Sequence, residues 1–114
     1  MAQFKELLIQ RTPNGTLPQL PLNGKWLEEI GFTVGRGVYA NFKNSCLTLT
    51  TNDGTDLLVE NRMVRRRPRT HLIINAFWLR RCGFNIGDKV GLTLTHGKIQ
   101  IQKINRFTAA PDAV

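Results

Sequence analysis

The chain repeats itself, and that repeat constrains the fold more than any other feature. Asn23-Gly-Lys-Trp-Leu-Glu-Glu-Ile-Gly-Phe32 aligns without a gap on Asn75-Ala-Phe-Trp-Leu-Arg-Arg-Cys-Gly-Phe84, and Gly35, Val38, Leu47 and Leu49 then fall on Gly87, Val90, Ile99 and Ile101. A weaker match joins Glu6-Leu-Leu-Ile-Gln10 to Asp56-Leu-Leu-Val-Glu60. The units run from about residue 4 to 51 and from about 55 to 104, with the turn signal Asn52-Asp53-Gly54 between them. A unit of about 50 residues has too little core to stand alone. Two units in one chain of 114 residues can share a core, so the whole is expected to be a single domain with a frayed tail at 108–114.

Both units read as β-β-α-β-β. Short apolar runs (Leu7 to Ile9; Leu57 to Val59) predict a first strand, and Leu20 to Asn23 and His71 to Asn75 a second. Asn23 and Asn75 are expected to cap short helices over 25–30 and 77–82, which Gly31 and Gly83 then end. Trp26, Leu27 and Ile30 predict a one-turn core face, with base stacking by Trp26 and Trp78 the weaker reading. Val90, Leu92 and Leu94 alternate with polar residues, His96-Gly97 turns the chain, and Ile99 and Ile101 alternate in return. Val38, Ala40, Phe42, Leu47 and Leu49 repeat that hairpin pattern. The implied architecture is mainly β with short helices, an intertwined pseudo-twofold barrel in which the covalent repeat stands in for a dimer and hides sheet edges.

Charge points to the partner. Sixteen Lys and Arg against eight Asp and Glu give a net of +8, a surface that attracts polyanions. Residues 1–52 carry five basic and three acidic side chains, and 53–114 eleven and five. Five arginines, Arg62, Arg65, Arg66, Arg67 and Arg69, fall within eight residues, where the matching stretch of the first unit has only Arg11. Pro68 predicts a loop or an edge there. Glu28-Glu29 of the first helix align with Arg80-Arg81 of the second. These seven arginines predict one basic, nucleic-acid-binding surface supplied by the second unit, since guanidinium forks match phosphate oxygens. The competing reading is a solvated charge run.

No stretch reaches the roughly 18 apolar residues of a membrane span, and the N-terminus lacks a signal-peptide core, so a cytoplasmic protein is expected. Cys46 and Cys82 are expected as buried, reduced thiols. No Cys/His cluster or Gly-rich phosphate loop suggests a metal or a cofactor. Gly35-Arg-Gly37 reads as a strand-entry turn. Metal-free RNA cleavage needs a base, an acid and a cation. His71, close to Arg69, is the single catalytic candidate, and His96 is expected to sit idle on a hairpin tip.

The run Leu20-Pro-Leu-Asn-Gly-Lys-Trp-Leu-Glu-Glu-Ile-Gly-Phe32, followed by Gly35 and Val38, resembles the SymE-like toxin family. The second copy departs at Ala76, where the pattern has Gly, and at Cys82. The resemblance implies an AbrB-type swapped-hairpin barrel, RNA as the partner ahead of DNA, and endoribonuclease activity that represses translation. A tandem copy implies a monomer acting as a pseudo-dimer, with a further oligomer left open. Two other readings stay open: a non-catalytic DNA-binding regulator or nucleoid-compacting protein, and a protein-interaction module using Glu28-Glu29.

Overall fold

The computed structural model describes residues 3–104; the tail expected to fray lies outside them. The first repeat forms β1 (Gln3–Leu8), β2 (Gln10–Arg11), β3 (Pro18–Asn23), α1 (Lys25–Glu29), β4 (Gly37–Lys43) and β5 (Cys46–Thr50). The second forms β6 (Leu57–Leu58), β7 (Glu60–Val64), β8 (Arg67–Ile74), α2 (Ala76–Arg81), β9 (Lys89–Thr95) and β10 (Lys98–Lys103). The fold is mainly β with two short helices, and each element has its counterpart in the other half.

Two antiparallel sheets result, one ordered β1-β9-β10-β5-β4-β6 and the other β2-β3-β8-β7. Exchanging every strand for its counterpart reverses each order, so both sheets straddle one pseudo-twofold axis. Thr48 opposite Gln100 and Pro21 opposite Ile73 are the pairs related to themselves by the repeat, and they mark where the axis passes. The first strands change sides: β1 pairs with β9 of the second half, and β6 pairs with β4 of the first.

The first strand expected at Leu7 to Ile9 is broken at Ile9, for a reason visible in both halves. The Ile9 amide donates to the Asp88 carbonyl at 2.9 Å and its carbonyl accepts from Gly87 at 2.9 Å. Val59 makes the equivalent bonds with Arg36 at 3.1 Å and Gly35 at 2.9 Å. Each residue is buried and anchors a corner where the chain leaves the six-stranded sheet for the four-stranded one. Between the sheets lies one hydrophobic cluster drawn from both repeats. At its centre Leu20, Leu22, Leu72 and Ile74 of one sheet and Leu47, Leu49, Ile99 and Ile101 of the other are all buried, as the period-two patterns require.

Three local expectations change. Asn75 caps α2, accepting from the Trp78 amide at 3.3 Å, but α1 begins at Gly24 with no side-chain cap. Gly24 takes φ 127°, and a Cβ there would meet the Trp26 indole at 2.9 Å. Ala76 of the second copy instead enters the helix. Trp26 and Trp78 are half-buried on the rim of the core, because adjacent helical positions cannot both point inward and Leu27 and Leu79 take the inward one. The Trp26 indole keeps its N–H on the Asn23 carbonyl at 2.9 Å. Cys46 and Cys82 are free and half-buried, and burial pushes the Cys82 thiol up to about 11 against a smaller opposing pull from Arg81.

Leu22→Ala on the axis is expected to cost about 2–5 kcal/mol in urea unfolding. Asn75→Ala is expected to cost about 1 kcal/mol through its lost cap, and Asn23→Ala to show no such loss.

Candidate nucleic-acid interface

The arginine-rich segment is a projecting hairpin. β7 and β8 pair from Glu60 opposite His71 to Val64 opposite Arg67, so Arg65-Arg66 forms a two-residue tip. Residues 60–69 are all exposed, and the outer half of β8 pairs only with β7. The loop expected around Pro68 is therefore strand: Pro68 sits opposite Met63, in the part of β8 that no further strand covers, where its missing amide is harmless. The matching stretch of the first half stops at the two-residue β2 and a short turn closed by the Thr12 amide on the Leu17 carbonyl at 2.9 Å.

Register sorts the side chains. Directly opposed residues share a face, so Arg62, Arg69 and Arg67 stand on one face with Glu60, Val64 and His71, while Asn61, Met63, Pro68 and Thr70 take the other. Arg62 is directly across from Arg69, a like-charge pairing that destabilises the ribbon unless an anion lies between. Neither of the two ion pairs among the described residues, Lys89–Glu6 and Lys103–Asp88, involves an arginine. At the tip Arg65 and Arg66 both hold left-handed backbone, φ 52° and 67°. Such a turn favours Asn-Gly, and an ordinary L-residue there costs on the order of 1 kcal/mol.

The base of the hairpin carries a cleft of about 230 Å³ lined by Asn23, Arg62, Val64, Arg69 and His71. Asn23 enters because β3 sets it directly opposite His71; its place in the sequence suggested only a helix cap. His71 is 5% exposed. Burial holds its pKa below the usual 6.5, the Arg62 charge lowers it further, and Glu60 partly offsets both. The imidazole is accordingly neutral at pH 7, an acceptor or base in a cleft that Arg62 and Arg69 also line. Behind it Thr70 is buried and donates its hydroxyl to the Glu28 carboxylate, tying the hairpin to α1.

Arg80 and Arg81 lie elsewhere. They follow Ile74, at the opposite end of β8 from Arg67, and seven residues of strand separate the two ends by about 23 Å. The helix beside the hairpin is the acidic α1. The seven arginines thus form two sets. Arg81 stacks at 5.4 Å from the Phe77 ring centroid and 5.7 Å from that of Trp78. His96 is exposed at the β9–β10 turn, as its sequence position predicts. No group of His, Cys, Asp and Glu among the described residues is placed to hold a metal ion, and no described helix is long and apolar enough to cross a membrane.

Compared with known proteins, the chain matches no family model, no curated protein and no solved structure.

Because the folded state depresses the His71 pKa, the unfolded chain binds its proton first as pH falls. The His71 contribution to stability is fully present above pH 6.5 and declines as pH drops below it. Thermal unfolding at pH 7 and pH 5 should show a larger decline for the wild type than for His71→Asn; equal declines would exclude His71 as the source.

Proposed function

We propose that this chain is a nucleic-acid-binding protein that seats a phosphodiester backbone along the arginine face of the β7–β8 hairpin. The observation that carries the reading is a projecting ribbon with five exposed arginines and no ion-pair partner among the described residues. Phosphates supply what the ribbon lacks: an anion between Arg62 and Arg69, and acceptors for the forks at Arg65, Arg66 and Arg67. We place the protein with SymE-like toxins, on the swapped-hairpin plan. The exchange of β1 and β6 between halves supports that plan, as does the repeated Trp-Leu and Gly-Phe pattern.

In this reading RNA is the partner and the Asn23–His71 cleft is where cleavage occurs. Neutral His71 accepts the 2′-hydroxyl proton as that oxygen bonds to phosphorus. The P–O5′ bond breaks to leave a 2′,3′-cyclic phosphate, the departing 5′-oxygen takes its proton from water, and Arg62 and Arg69 balance the charge on the phosphorus centre. The second reading, a non-catalytic duplex-binding protein, draws on the burial of His71 and on a cleft lining without a carboxyl group to protonate the leaving oxygen. Labelled RNA and duplex DNA, incubated with pure protein across a salt series, separate the two. RNA cleavage lost in His71→Ala with binding retained supports the toxin, and its rate should climb with pH to a plateau through a midpoint below 6.5. Duplex retention without cleavage supports the second reading.

Replacing Arg65, Arg66 and Arg67 together with Ala should weaken binding and reduce the slope of log affinity against log salt by about 2 to 3. Arg65→Asn with Arg66→Gly should do something a merely structural turn would not. It relaxes the left-handed backbone and stabilises the fold by about 1 kcal/mol, yet it lowers affinity. Unchanged affinity in both variants would remove the hairpin from the interface.

A further inference from the structure

The two halves differ at one sheet edge, and the difference has the shape of a binding site. The outer edge of β9 is covered by β1 from Lys89 opposite Leu8 to Leu94 opposite Gln3. The counterpart edge, on β4, is covered by β6 at Gly37 and Val38 alone. Asp56 serves the next positions: its amide donates to the Val38 carbonyl at 3.1 Å, and its carboxylate accepts the Ala40 amide at 2.9 Å. Val38 and Ala40 direct their backbone groups outward, so by the alternation of a strand Phe42 does too. From the Ala40 carbonyl to Phe42, no strand pairs with this edge among the described residues.

Beside that open edge is a hollow of about 330 Å³ lined by Ala40, Asn41, Phe42, Trp78 and Arg81. Its counterpart in the other half, bounded by β9 and Trp26, is filled. Lys5 of β1 lies opposite Leu92 and extends its ammonium to 5.2 Å from the Trp26 ring centroid. The molecule therefore displays, in its own first strand, the kind of occupant this place accepts: an extended segment with one long charged side chain turned over the tryptophan. The charge it must carry is reversed. Lys5 shares its end of the sheet with a helix bearing Glu28-Glu29, whereas α2 presents Arg80-Arg81. Phe77 is 61% exposed and Phe42 is 36% exposed, and they add apolar surface around the hollow.

We propose that the open edge of β4 and the adjoining face of α2 form a docking site for an extended acidic peptide segment of a partner protein, added as a strand beside Ala40–Phe42 with a carboxylate on Arg81. Main-chain bonds to the edge supply affinity, and the hollow supplies selectivity. A second copy of this chain is a poor occupant, because edge-to-edge pairing would bring Lys43 and Arg81 against their own mates. The site lies at the opposite end of β8 from the hairpin tip and rests on separate observations.

The probe is a fluorescent, end-capped pentapeptide with the sequence of residues 1–5 carrying Lys5→Glu, titrated against the full chain by anisotropy. In the register of β1 it reaches Ala40–Phe42 without meeting β6. Saturable binding is expected, at least tenfold tighter than for the same peptide with its native lysine. Arg81→Glu should reverse that preference without altering the unfolding temperature by more than the wild-type scatter. Methylating the peptide amide that faces the edge should abolish binding, while methylating its neighbour, which faces away, should not. Charge-insensitive binding, equal binding of the two methylated peptides, or no binding at millimolar peptide would overturn the proposal. So would an Arg81-dependent dimer in sedimentation, or Arg81-dependent retention of a thymidine oligonucleotide with no peptide binding. The first of these would assign the face to a second copy, the other to unpaired bases.

Discussion

The structure depends on aliphatic contact across its internal axis. Leu20, Leu22, Leu72 and Ile74 on one sheet face Leu47, Leu49, Ile99 and Ile101 on the other, and each group of four takes two side chains from each repeat. Removing either repeat would expose half of every layer, and the sheet hydrogen bonds of β3–β8 and β5–β10 would go with it. The exchange of β1 and β6 tightens the dependence, since each half completes the sheet of the other. Cooperative unfolding of the pair follows from this arrangement, because no subset of strands closes a core by itself.

On this near-symmetric scaffold the surface is far from symmetric. The interior must satisfy packing on both sides of the axis, so Leu27 answers Leu79, Phe32 answers Phe84 and Ile9 answers Val59. Exposed positions carry no such demand. One half ends its first corner in a short turn, and the other extends it into an arginine ribbon. One half covers its sheet edge with a full strand, and the other leaves the edge to Asp56. The consequence, among the described residues, is a basic arm on one half alone and a partly uncovered β4 edge where the other half has a full covering strand.

The arm itself works against stability. Arginines face each other across the ribbon, two more occupy left-handed backbone at the tip, and a histidine is held neutral by burial beneath them. Each of these is unfavourable in the protein alone, and the like-charge pairing of Arg62 with Arg69 is the one that a counter-charge would ease. Thr70 and its bond to Glu28 fix the root of the arm, so the unfavourable charge is carried on a rigid support.

The amino-acid sequence alone determined the repeat, the order of elements and the inward side of nearly every strand, because these follow from local periodicity and from paired Trp, Gly and Phe at fixed spacing. Helix limits agreed to within a residue, and the His96-Gly97 turn lay where its composition placed it. Tertiary structure decided which strands are neighbours. Nothing within β1 names β9 as its mate, since a strand presents the same backbone groups to any edge. The arginine run gave no hairpin signal because Arg-Arg is a poor turn pair. Asn23 and Asn75 looked alike, yet only one caps a helix, since Gly24 bends the chain where Ala76 does not. The cleft joins Asn23 to residues 39 to 48 positions away, and only the register of β3 on β8 brings them together. Sequence fixes what a side chain prefers locally; long-range pairing fixes what it meets.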